Sequence, residues 1–62
     1  MITRIWNKKQ TQQTIKDLRN NGFVVDKLDN KYECYEEGKL IFMAMLGTNT
    51  YLIRHDEELF TY

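Results

Sequence analysis

Proline is absent from this 62-residue chain, and cysteine and histidine occur once each. A lone Cys34 excludes an internal disulfide. With a single His55 beside it, no pair of Cys or His has the short spacing of a structural zinc site. The three glycines are scattered, so no glycine-rich loop can cradle a phosphate. The longest apolar run, Leu40 to Leu46, is seven residues. A membrane-spanning helix needs about 20. Nothing in the chain staples the fold, so dense packing or a partner must supply the stability. A domain of this length buries only about 60% of the surface its unfolded chain exposes, which leaves room for one core and one domain, residues 1–62.

Catalytic groups are as scarce as staples. General acid or base work calls for a His or a carboxylate with a shifted pKa in a pocket, oriented by a second group. His55, between Arg54 and Asp56 at a strand end, reads as an ordinary exposed histidine. Cys34 alternates with Tyr32 and reads as a core residue, with no cation close in sequence to make it a thiolate. The acid clusters Glu36-Glu37 and Asp56-Glu57-Glu58 lack the alternating ligands and the turn glycine of a calcium loop. The expectation is a protein that is not an enzyme and holds neither cofactor nor metal.

What the chain does have is the composition of a folded domain: 42% hydrophobic residues, 13% aromatic and 29% charged, with a formal net charge of zero. The charge is unevenly spread. Residues 1–27 carry six basic side chains against Asp17 and Asp26, a local charge of +4, and residues 28–62 carry three against seven acids, a local charge of −4. The unpaired cysteine and the lack of a signal peptide point to the cytoplasm.

Period and punctuation divide the chain into elements. Met1 to Trp6 alternates and reads as a short strand or an extended arm. Asn7 is a fitting N-cap for a helix that runs to about Asn20, with Thr11 as a second candidate start, and Asn20-Asn21-Gly22 is a stop. Thr11, Thr14, Ile15 and Leu18 form one narrow stripe of that helix, while Lys9, Gln12, Lys16 and Arg19 lie on another. After Gly22 the period becomes two. Four strands follow: Phe23 to Leu28, Lys31 to Tyr35, Lys39 to Leu46 and Thr50 to Arg54, joined by turns too short for parallel crossovers. The tail from His55 to Tyr62 either opens a helical turn at Asp56 or stays extended. The expected fold is α+β, one N-terminal helix packed on a three- to four-stranded antiparallel meander.

The order helix, then three antiparallel strands, resembles part of the double-stranded-RNA-binding fold and of the small HicA-type toxins built on it. The likeness covers residues 11–46, with Asn21-Gly22-Phe23 at the helix-to-strand corner. It departs at two points. The toxins carry a catalytic His on the second strand, where this chain reads Lys31-Tyr32-Glu33-Cys34-Tyr35, and their closing helix is replaced by the strand Thr50 to Arg54. The likeness is one of topology and implies no ribonuclease. In size and style the chain also resembles the small accessory proteins of bacteriophages, which implies an inhibitor or adaptor that binds a host macromolecule.

The sharpest feature is Leu40-Ile41-Phe42-Met43-Ala44-Met45-Leu46. A sheet with one wet face alternates apolar and polar residues, but this strand is apolar on both sides. If Leu40, Phe42, Ala44 and Leu46 pack under the helix, then Ile41, Met43 and Met45 point to the other face, with Tyr35 and Leu52 as neighbours. Either the N-terminal arm or the Leu59, Phe60 and Tyr62 tail folds back over them, or they form a docking surface for a protein partner or a second copy. The rival reading is nucleic-acid binding along the helix stripe Lys9, Gln12, Lys16 and Arg19. A membrane partner is not expected.

Overall fold

The computed structural model describes residues 1–60. Its elements run β1 (Ile2–Asn7), α1 (Lys8–Asn20), β2 (Val25–Lys27), β3 (Lys31–Glu36), β4 (Lys39–Leu46) and β5 (Thr50–His55). The fold is α+β, but the helix is the second element rather than the first. The sheet has five strands, not three or four, in the order β1-β5-β4-β3-β2. The difference lies in the N-terminal segment, which pairs antiparallel with β5 from Ile2↔His55 to Asn7↔Thr50. All neighbouring strands are antiparallel.

The helix begins where the sequence signals it. Asn7 has an extended backbone and its side chain accepts a hydrogen bond from the Gln10 amide at 2.7 Å, which satisfies one of the unpaired amides of the first turn. The Thr11 hydroxyl donates to the Asn7 carbonyl at 2.9 Å. At the other end Gly22, with φ of 91°, lets the Phe23 amide reach back to the Leu18 carbonyl at 3.0 Å and its own amide reach Arg19 at 3.1 Å. That pair of bonds is a Schellman motif, and the positive φ is why a glycine ends the helix there.

The hairpin between β3 and β4 turns through Glu37 and Gly38, both with positive φ, as a type I′ connection requires. Just after it the ladder slips. Tyr35 pairs with Leu40 and Cys34 with Phe42, leaving Ile41 as an extra residue in β4. Such a β-bulge puts one residue out of phase with the alternation. Ile41 therefore turns to the covered side and is only 7% exposed.

One face of the sheet carries the core. Ile15 and Leu18 of α1 are buried with Val25, Cys34, Phe42, Ala44, Tyr51 and Ile53. Trp6, Phe23, Tyr32, Leu59 and Phe60 pack against this cluster. The Phe60 ring meets those of Trp6, Phe42 and His55. The tail folds back onto the helix side of the sheet, and not over Met43 and Met45 as one of the two expectations had it. Tyr62, expected to fold back with it, lies outside the described residues.

Candidate functional site: the open sheet face

Antiparallel register brings residues of one face into rows across the strands. On the side away from α1, one row runs Ile5, Leu52, Met45 and Lys31 through β1, β5, β4 and β3. The next runs Thr3, Arg54, Met43, Glu33 and Asp26. Beyond the bulge, Leu40 and Tyr35 make a third. Of the five residues that the sequence assigns to this surface, Met43, Met45, Tyr35 and Leu52 fall on it. Ile41 does not: the bulge turns it inward, and it joins Phe23 and Leu59 on the helix side, at the base of a cleft also lined by Lys39 and Asp56.

No layer covers this face among the described residues. Ile5 is 70% exposed, Leu52 40% and Met45 37%, and Tyr35 is also exposed. Met43 and Leu40 are half-buried by their neighbours. Ile5 and Leu40 belong to the surface although sequence reasoning missed both. The signal for Ile5 was the period of β1 itself, whereas Leu40 reaches this face only because the bulge shifts it out of phase with Phe42. The polar groups have a definite order. Lys31 and Glu33 form an ion pair at 3.4 Å. Asp26 sits in register beside Glu33, so two carboxylates meet one ammonium at that margin. Arg54, across Met43 from Glu33, is exposed and has no ion-pair partner among the described residues.

The helix stripe offers less free chemistry. Lys9 and Lys16 are exposed. Arg19, however, donates from Nη2 to the Val25 carbonyl at 2.8 Å and so pins β2 to the helix end, while Gln12 donates to the Tyr32 hydroxyl at 3.3 Å.

His55 departs from expectation. It is 4% exposed, because β5 alternates Tyr51, Ile53 and His55 inward and its partners Ile2 and Phe42 lie on the core face. Its ring stacks on Trp6 at 6.2 Å and meets the edge of Phe60 at 4.9 Å. Nδ1 lies 2.8 Å from the Asp56 carbonyl, which can only accept, so Nδ1 carries the hydrogen. Cys34 is fully buried, as its alternation with Tyr32 implies. Burial first, then the carboxylates of Glu36 and Asp26, push its thiol above the ordinary range, away from the reactive thiolate.

The two acid clusters, distant in sequence, converge. Glu36, Glu37, Asp56 and Glu58 rim the cleft above Ile41, and Lys39 bridges to Asp56 at 3.3 Å. Among the described residues no group of three or more His, Cys, Asp or Glu is arranged to hold a metal ion. No helix of the structure is long and apolar enough to cross a membrane. Among the described residues the uncovered rows bring Ile5, Leu52, Met45, Met43, Leu40 and Tyr35 together on one face. Comparison with family models, with curated proteins and with solved structures finds no match to this chain.

Proposed function

We propose that the chain is a non-enzymatic protein-interaction module that docks through the open face of its sheet and acts by occupying surface, as an inhibitor or an adaptor does. The observation that carries this reading is the row Ile5, Leu52 and Met45, continued by Met43, Leu40 and Tyr35, with nothing over it among the described residues. Leaving such side chains wet forfeits burial worth about 1.5 to 3 kcal/mol for each large apolar group. A domain this small has little stability to spare. Methionine suits the role, because its unbranched thioether adapts to an irregular partner. Nucleic-acid binding along α1 is the weaker reading, since two of its four residues are already engaged within the fold.

Photo-crosslinking tests the face directly. A benzophenone amino acid placed at Met43 or Met45 and irradiated in the producing cell is expected to give covalent protein adducts. The same probe at Gln12 or Lys16 is expected to give none. Adducts from the helix positions with none from the sheet would overturn the reading.

A further inference from the structure

Charge order on the open face restricts what can cover it. Along the central row the sequence across the strands is Asp26 and Glu33, then Met43, then Arg54 and Thr3. Acids lie on one side of β4, and on the other lies the Arg54 guanidinium, which has no ion-pair partner among the described residues. Asp26 and Glu33 are like charges directly opposite each other, a destabilising arrangement that Lys31 relieves only in part. The face is thus short of one cation at its β2–β3 margin and of one anion at β5.

A surface with this pattern is complementary to itself under one rotation. We propose that a second copy of this chain covers the open face, related by a two-fold axis that runs along β4 through Met43. This rests on the reading of that face as a docking surface. Rotation about such an axis lays β5 of one copy over β3 of the other, so that each Arg54 meets the Glu33 of the facing copy at the same level. Met43 stacks on Met43 and Met45 on Met45 at the centre. The exchange is isologous, and it places each Asp26 opposite the Thr3 hydroxyl of the facing copy. An axis perpendicular to the strands would instead set β5 on β5 and bring the two Arg54 side chains together. The charges therefore select the first arrangement, a sandwich with strands aligned in the same sense and sheets about 10 Å apart.

The size is adequate. Five strands at about 4.8 Å spacing, with about 3.3 Å per residue along each strand, make a face of roughly 20 by 20 Å. Side-chain relief raises its accessible area toward the ~600 Å² per partner at the lower end of stable interfaces.

Sedimentation velocity of the full chain across a concentration series tests the proposal, with circular dichroism to verify that each variant is folded. A monomer–dimer equilibrium is expected. Arg54→Glu or Glu33→Arg alone should weaken it by at least about tenfold, because two pairs across the interface each turn from attraction to repulsion. The double variant Arg54→Glu/Glu33→Arg should return toward the native affinity, which no single loss of packing can mimic. Met43→Glu should abolish the dimer. A chain that stays monomeric at every concentration overturns the proposal but not the docking reading, which the crosslinks then test with adducts larger than two copies. A dimer that survives Met43→Glu forms through another surface and overturns the proposal, and the crosslinks again decide the docking reading. A dimer lost on Met43→Glu yet indifferent to both charge reversals overturns the two-fold placement.

Discussion

Two residues of β4, four apart, should respond oppositely to truncation if the bulge is where the structure has it. Ile41 is 7% exposed and Met45 37%, although strict alternation would put both on one face. Ile41→Ala removes buried methyl and methylene groups, a change that costs about 2 to 5 kcal/mol in well-packed cores. Its surroundings favour the lower half of that range, about 2 to 3 kcal/mol, because it forms the base of an open cleft lined by Phe23 and Leu59, and water can enter the space. Met45→Ala in the monomer deletes atoms that are partly in solvent and leaves no cavity, so it should cost about 1 kcal/mol or less. Against a total of about 3 to 9 kcal/mol for a chain of this length, the first is severe and the second mild. Urea unfolding followed by Trp6 fluorescence measures the difference, at concentrations low enough to keep the chain monomeric. With a slope of about 1 kcal/mol per molar, the midpoint should fall by about 2 M for Ile41→Ala and by about half that or less for Met45→Ala. Equal shifts, or a larger one for Met45→Ala, would show that β4 alternates without interruption and that the open face has been assigned to the wrong residues.

Two further outcomes follow from the helix entry and the tail. Asn7→Ala removes the acceptor for the Gln10 amide and should destabilise the fold by about 1 kcal/mol, with Asn7→Asp close to native, as read from urea midpoints; equal losses for both would mean that the cap is not the cause. The Asp56 carboxyl lies below its ordinary value of 3.8, first because the Glu58 amide donates to it and then because Lys39 does. A depressed folded value contributes stability that is present above the unfolded value and lost as pH falls through the folded one. Asp56→Asn should therefore lower the melting temperature at pH 7 and converge with the native chain in strong acid; a constant difference at all pH values would refute that linkage.

The parts of the fold that rest on local chemistry were legible in the sequence. Asn7 and Gly22 bracket α1 because capping and a positive φ are properties of single residues, and the four later strands lie between turns of the same kind. β1 was ambiguous, since its six residues gain their pairing only from β5, more than forty positions away. The bulge left no trace in the sequence. Between Leu40 and Leu46 every residue is apolar, so either phase of the alternation fits equally well, and only the geometry of the Glu37-Gly38 turn and its ladder decides that Ile41 goes in and Leu40 goes out. His55 is a different failure. Its charged neighbours suggested exposure, whereas the period of two from Tyr51 through Ile53 already pointed it inward. The open face is explained by what remains once the sheet is built. Among the described residues the long segment outside the strands is α1, and the other packed one is the tail, residues 56–60. Both lie on the same side: Ile15 and Leu18 cover the middle of the sheet, and Leu59 and Phe60 cover the end that the 13-residue helix does not reach. A chain that spends both of its covering segments on one face leaves the other to be covered from outside, and the alternation of acids, methionine and Arg54 across that face is what a facing copy would have to match.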